Sequence, residues 1–321
     1  MIVRERSKPI RLMKLEALYH RLPDSHPRKP IIHSELKIRI NGYKGEKSID
    51  YHLSFLSQEK YLILHDLRLQ NDLGYFFQID TIAISPNFII IIEVKSFQGT
   101  IRFDANYGQL VQTFVNESRA LEDPIAQMER HIIQLENWLH KNKFKMAPLK
   151  PLIVISNPAT LIETTSNPSY FKHITHRIKL PMKVFQLEEK YTEKIYSQRE
   201  LRDLASALIK AHTPEEVDIL KDFKISHNEI IQGVRCPECM ALPMERLYGK
   251  WKCLSCHMTS KDAHLESLKD YTLLMGPTIT NKKICEFLHL PSRNVATYIL
   301  QSLHVPHIGH TKGRKYLLTS K

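Results

Sequence analysis

The chain has 321 residues, long enough for two or three domains at about 100–200 residues each. With 42% hydrophobic and 25% charged residues it has the make-up of globular protein, which excludes a disordered or fibrous chain. Lys and Arg number 46 against 34 Asp and Glu, a formal charge of +12. No run approaches the roughly 18 consecutive apolar residues of a membrane span, and the basic N-terminus lacks the apolar block of a signal peptide. The expectation is a cytoplasmic protein without membrane association.

The charge sits at the ends. Residues 1–40 hold ten Lys/Arg and four Asp/Glu, residues 41–231 hold 23 and 24, and residues 232–321 hold 13 and six. Basic ends around a neutral middle attract polyanions, nucleic acid foremost, although a merely soluble surface can be basic too.

Leu12–Leu22 suggests a leading helix before Pro23 and the Pro27-Arg-Lys-Pro30 break. Gly42-x-x-Gly45-Glu46 then precedes a helical pattern with Ile49, Leu53 and Leu56 on one face, Glu46 and Asp50 lying on or beside it. Tyr61–Leu64 with Leu67 and Leu69 reads as a strand, followed by a loop at Asn71–Gly74. The runs Phe76–Ile84 and Phe88–Lys95 flank Ser85-Pro86-Asn87, a turn signal. With Pro86 and Asn87 as the two turn residues, paired positions sum to 173, so Asp80 opposes Glu93. Lys95, two residues on, shares their face. Opposed carboxylates repel each other, and a divalent cation with a taste for hard oxygen ligands, Mg²⁺ or Mn²⁺, removes the conflict. The alternative is an exposed strand end with an ordinary Glu–Lys pair.

Asp123 is a good N-cap and Pro124 a good first residue for a helix that buries Ile125, Met128, Ile132, Leu135 and Leu139, with Gln127 bordering that stripe. Pro151–Ile155 is an aliphatic run suited to a covered inner strand. No glycine-rich phosphate loop appears among only 10 glycines, which argues against an intrinsic NTPase. His52, His131 and His140 read as ordinary helix residues. Beyond residue 160, Met182–Leu187 reads as one more strand and Gln198–Ala211 as an amphipathic helix burying Leu201, Leu204, Ala205 and Leu208. Thr213-Pro-Glu-Glu216 reads as the start of another helix, with Val217, Leu220 and Phe223 at helical spacing.

Four of the five cysteines fall into C-x2-C, thirteen residues, C-x2-C: Cys236, Cys239, Cys253 and Cys256. Two such knuckles present four thiolates to one Zn²⁺, with a hairpin around Gly249 between them, as in a zinc ribbon. A shell of four thiolates leaves no open position, so this zinc is structural, and His257 is not needed as a ligand. Two disulfides would fit a cytoplasmic chain poorly. Cys285 reads as a small buried hydrophobe.

The last 45 residues read as two helices, capped by Thr280 and Ser292, followed by a hairpin. The first carries Ile284, Phe287 and Leu288; the second turns Val295, Tyr298, Ile299 and Leu303 inward and Arg293, Asn294 and Thr297 outward. The hairpin tip holds Lys312, Arg314 and Lys315. The pattern resembles a winged helix–turn–helix, in which a helix enters a groove and the wing meets phosphate. A protein-interaction tail is the alternative.

Gly42-x-x-Gly45-Glu46, Ile79-Asp80, Ile92-Glu-Val-Lys95 with Gly99, and Asp123-Pro124-Ile-Ala-Gln127 occur in that order. Together they resemble the nuclease-related domain (NERD), a branch of the restriction-endonuclease-like PD-(D/E)xK superfamily, over roughly residues 42–155. Ile79 stands where the superfamily's name has proline, a position that carries no ligand. The resemblance implies an α/β fold, a mixed sheet flanked by helices. It also implies Asp80 and Glu93 as metal ligands, Lys95 as catalytic lysine, Glu46 as accessory acid and Gln127 reaching the site from its helix. The expected division is a basic helical lead at 1–40, the nuclease-like domain at 41–160, a strand and helix connector at 161–231, the ribbon at 232–260 and the winged helix–turn–helix at 261–321. The function expected is a metal-dependent nucleic-acid phosphodiesterase docked to DNA by its C-terminal region, using Mg²⁺ or Mn²⁺ for catalysis and Zn²⁺ for structure. A non-catalytic DNA-binding or regulatory protein on a nuclease-like scaffold is the competing expectation, and a protein-interaction module a third.

Overall fold

The aliphatic hairpin organises the first half of the chain. Strands β1 (Ile2–Arg4), β2 (Leu62–Gln70), β3 (Phe76–Ile84), β4 (Ile89–Lys95), β8 (Leu149–Ile155) and β10 (Ile174–His176) form a six-stranded mixed sheet in the order β1-β2-β3-β4-β8-β10. The β2–β3 and β3–β4 pairs are antiparallel; β1–β2, β4–β8 and β8–β10 are parallel. A second sheet follows the order β7-β6-β5-β9 and is built from β5 (Thr100–Asp104), β6 (Gln109–Phe114), β7 (Glu117–Glu122) and β9 (Leu161–Glu163). The computed structural model describes residues 1–104, 107–163, 171–310 and 313–318. Among them, two compact units emerge: Met1–Lys8 with Arg39–Glu215, and Pro9–Ile38 with Glu216–Lys321.

In the first unit, alternation along β3 and β4 sends side chains to both faces. Ile82, Ile84, Ile89 and Ile91 pack with the helices Pro124–Lys141 and Gln198–Ala211, while Ala83, Ile90, Ile92 and Val94 pack with Ile49, Leu53, Leu180 and Val184. Helices on both faces explain why β4 is aliphatic at every position from Ile89 to Ile92. The mixed sheet flanked by helices follows the sequence reading.

Details also follow. Ser85 and Phe88 close the turn, and the β3–β4 ladder pairs Thr81 with Ile92 and Ile84 with Ile89, the register expected. The Asp123 carboxylate accepts the Ile125 N–H at 2.9 Å, capping the helix that buries Ile125, Met128, Leu135 and Leu139 and half-buries Ile132. Gln198–Ala211 buries Leu201, Leu204, Ala205 and Leu208.

Four readings need correction. The helical pattern expected after Gly42–Glu46 shrinks to the four-residue helix Asp50–Leu53, and Gly42–Glu46 itself lies inside the preceding helix Lys29–Lys47. Met182–Leu187 is helical, within Leu180–Lys190: Leu180 and Val184, four apart, are its buried residues, and six residues are too few to separate the two periods. Thr213 starts no helix; the short helix Ile219–Phe223 begins at Asp218, whose carboxylate accepts the Lys221 N–H at 3.2 Å. Tyr298 points outward, 69% exposed, because Ala296, Ile299 and Leu300 form the buried face of its helix.

In the second unit the ribbon sheet β11-β12-β13 (Glu245–Leu247, Lys250–Lys252, Thr259–Ser260) turns at Tyr248-Gly249, where Gly249 has φ +71°. The helix Ala263–Met275 precedes Asn281–Phe287 and Arg293–Ser302, which Thr280 and Ser292 cap through the N–H groups of Lys283 and Val295. A three-stranded sheet closes the unit in the order β14-β16-β15: Thr278–Thr280, Lys315–Leu317, His307–Ile308. Ribbon and helices share one apolar core: Val234, Met244 and Trp251 cluster with Leu268, Ile284 and Ile299. Among the described residues, no helix is long and apolar enough to cross a membrane.

Candidate functional site

The β3–β4 ladder ends at Thr81 and Ile92, one step before Asp80 and Glu93. There the Asp80 carboxylate accepts the Val94 backbone N–H at 2.8 Å. Asp80 keeps some surface as a residue, yet its carboxyl group is enclosed. That burial raises its pKa well above the ordinary carboxylate range, and the charges of Glu93 and Glu46 add to the rise.

Glu93, Lys95 and Gln127 form a closed hydrogen-bonded triangle. The Lys95 ammonium donates to Glu93 Oε1 at 2.7 Å and to Gln127 Oε1 at 2.8 Å, and Gln127 Nε2 donates to Glu93 Oε1 at 2.8 Å. Strand alternation supplies the first two residues on one face, and the second turn of the Asp123-capped helix supplies the third. The Glu93 side chain is 5% exposed and that of Lys95 25%, so the triangle is covered behind and open at the ammonium.

Glu46 arrives from the other helix. A Cβ on Gly45 would stand 2.7 Å from Ser156 Oγ and 2.9 Å from Ser96 Cβ, so a glycine lets the helix end press against the ends of β4 and β8. Burial pushes the Glu46 carboxyl up to about 7, against the pull of Arg6 and with the push of Asp66 and Glu93.

Two contributors were not assigned to the site from the sequence, where His131 read as an ordinary helix residue. His131 is buried, its Nδ1 3.8 Å from Glu93 Oε2, and burial lowers its pKa. Its signal was available, since it stands four residues after Gln127 on the same helix face. Arg6 also touches Glu46, at 3.2 Å from Oε2, and no local pattern points to it.

In the second unit, Cys236, Cys239, Cys253 and Cys256 bring their sulfurs within 4.8 Å of one another, the only such group of three or more metal-type side chains among the described residues. All five cysteines are free, so no disulfide competes. The sulfurs of Cys236 and Cys256 are 3.6 Å apart and those of Cys239 and Cys253 3.5 Å, near the roughly 3.8 Å edge of a tetrahedron with Zn–S bonds of about 2.3 Å. Both knuckles turn alike: Met240 and His257, each just past its second cysteine, have φ of +65° and +60° and return N–H groups to the carbonyls of Cys236 and Cys253. The Cys253 sulfur accepts the Cys256 N–H at 3.5 Å, a bond that favours its thiolate form. Cys285 is half-buried against the same apolar core.

The residues expected to face nucleic acid are scattered in exposure. Arg293, Asn294 and Lys315 are exposed, and Arg314 is half-buried with its Nε enclosed. Thr297 is half-buried, its hydroxyl accepting from Asn281 Nδ2 at 2.8 Å and donating to the Arg293 carbonyl at 3.0 Å, so it ties two helices together. Lys312 lies outside the described residues.

Residues 41–156 match the family model of the nuclease-related domain. An uncharacterized protein of Bacillus anthracis is 22% identical over 188 residues, 59% of this chain and 84% of that protein. No solved structure matches the chain.

Proposed function

With a nuclease-related domain at residues 41–156 as the premise, we propose that the chain is a metal-dependent nucleic-acid phosphodiesterase. The observation that carries this reading is the Glu93–Lys95–Gln127 triangle beside the enclosed Asp80. Arg6 pairs with Glu46, while the charges of Asp80, Glu93 and Glu46 still act on one another beside Lys95, and hard carboxylate oxygens fit Mg²⁺ or Mn²⁺. Asp80 and Glu93 would hold that ion, which when bound supplies Lewis acidity toward a phosphodiester and acidifies the attacking water. Lys95 has three N–H donors and spends two on Glu93 and Gln127; the third, on its exposed side, is available to a phosphate oxygen or the attacking water. Gln127 fixes the ammonium by accepting from it while its own amide holds Glu93. Glu46, with its carboxyl near neutral pH, serves as an accessory acid.

The four cysteines would hold one structural Zn²⁺, with no position left for chemistry. The second unit, with its capped helices and the strand pair His307–Ile308 and Lys315–Leu317, would dock DNA as a winged helix–turn–helix through Arg293, Asn294, Thr297, Lys312, Arg314 and Lys315.

The test is a cleavage assay with Mg²⁺ or Mn²⁺ on single- and double-stranded DNA and RNA, comparing wild type with Asp80→Ala. Cleavage that needs the divalent ion and disappears in the variant is the expected result. Binding without cleavage of any substrate would favour a nuclease-like scaffold instead.

A further inference from the structure

Arg6 lies outside the matched region, just beyond β1. The segment around it is fastened on both sides. Arg4 Nε donates to the His65 carbonyl at 2.9 Å, and the Ser7 N–H donates to Asp66 Oδ2 at 3.1 Å. Between these anchors the Arg6 side chain is 3% exposed. Its guanidinium donates to Glu46 Oε2 at 3.2 Å, to Asp50 Oδ1 at 3.2 Å through two nitrogens, to Thr81 Oγ1 at 3.0 Å and to His65 Nδ1 at 3.0 Å; Asp66 Oδ1 lies 3.6 Å away.

Glu46 needs such a partner. It is the penultimate residue of Lys29–Lys47, where the helix presents carbonyl oxygens and disfavours an anion. It is also mostly buried, and its charge acts on both Asp80 and Glu93. A flexible carboxylate there could swing toward solvent; the planar fork of an arginine that also grips Asp50 and Thr81 fixes its place.

We propose that Arg6 is a positioning residue of the nuclease-like site, acting through Glu46, so that the first eight residues belong to the site although they lie outside the family match. The proposal rests on the nuclease reading above for its activity readout, and on metal binding for a second readout.

The experiment uses the full chain as wild type, Arg6→Gln, Arg6→Lys, Glu46→Gln and the Arg6→Gln/Glu46→Gln double variant. Each is measured for kcat and KM on a DNA substrate, for Mn²⁺ affinity by electron paramagnetic resonance titration, and for melting temperature. Arg6→Gln should lower kcat and weaken Mn²⁺ binding by about tenfold each, with KM for DNA little changed, and Arg6→Lys should recover part of both. In the Glu46→Gln background the Arg6 change should add no more than about twofold. An equal effect with and without Glu46, or a lower melting temperature with kcat and Mn²⁺ affinity intact, overturns the proposal. If Arg6→Gln does not fold, Arg6→Lys carries the same test, because it keeps the charge but cannot fork between Glu46 and Asp50. If wild type cuts nothing, the nuclease reading fails, and the Mn²⁺ titration decides Arg6 by the same non-additivity; a wild type that binds no Mn²⁺ overturns both.

Discussion

The cysteine cluster takes its four sulfurs from the 21 residues between Cys236 and Cys256, whereas the carboxylate site gathers Glu46, Asp80, Glu93, Lys95 and Gln127 from two helices and a hairpin. In the first, two short knuckles bring all four sulfurs together. In the second, Glu93 and Lys95 meet on one strand, but Gln127 and Glu46 reach them only from two helices packed on the sheet. A ligand removed from the cysteine cluster should therefore cost fold, and a ligand removed from the carboxylate site should cost chemistry and leave the fold standing.

The largest effect expected is at the cysteines. Cys236 and Cys253 are buried in the same apolar cluster as Trp251, and structural zinc binding is worth about 10–16 kcal/mol in small domains. Chelation or Cys253→Ala should melt the second unit and shift Trp251 fluorescence, read without interference in a Trp138→Phe background, since the chain has two tryptophans. Depletion of Mg²⁺ should leave that signal unchanged. Retention of the Trp251 environment after zinc loss would erase the contrast.

Next comes the chemistry. Lys95→Met should lower kcat by about 10²–10³-fold, the usual cost of one donor aimed at developing charge, with the melting temperature within a few degrees of wild type. Circular dichroism and single-turnover cleavage together check it; collapse of the fold would show that the triangle holds the sheet as well.

His65 sharpens the comparison through pH. Burial, then Arg6 and Arg4, lowers its pKa to about 3, so it stays neutral in the folded chain but titrates near 6.5 when unfolded. The unfolded state thus binds the extra proton between those values, and the stability it lends is present above 6.5 and lost as pH falls toward 3. At pH 5 the loss is about 2 kcal/mol. Glu46, raised to about 7, gains stability over the same interval, so the readout is the difference between wild type and His65→Asn. In urea unfolding of the first unit, the variant should shift against wild type by about 2 kcal/mol from pH 7 to pH 5.

Gly45→Ala should destabilise the first unit by about 1–3 kcal/mol, because the new methyl meets Ser156 Oγ and Ser96 Cβ. Ser156→Ala should recover only part of this, since Ser96 remains. The smallest effect belongs to the basic surface of the second unit. Removing Arg293 and Lys315 should flatten the salt dependence of DNA binding by up to about two units of slope. An unchanged slope would point to a protein partner.

The same contrast explains what was legible in the sequence. The cysteine pairs, the caps at Asp123, Thr280 and Ser292, and the 173 register are each fixed within a few residues of one another, so pattern alone reveals them. The need for a glycine at position 45 comes from Ser96 and Ser156, more than fifty and a hundred residues away, too far for any local pattern to encode. Arg6 reaches Glu46 and Thr81 across 40 and 75 residues, a separation that no local period encodes. His131 was within reach: its spacing from Gln127 was visible, and only the presumption that a helix histidine is ordinary hid it.

The three-residue β1 has one more consequence. It lies on the outer side of β2, a nine-residue strand carrying Leu62, Ile63, Leu64, Leu67 and Leu69, and pairs with it in parallel with a register irregularity between Ile2 and Arg4. Without it, β2 would present a long apolar edge of unpaired N–H and C=O groups, a template for joining a second chain. The short, irregular β1 is a poor template itself, as is the three-residue β10 at the far end of the sheet. These two small strands therefore guard the molecule against aggregation. A chain shortened by its first eight residues should scatter light at concentrations where the intact protein remains clear.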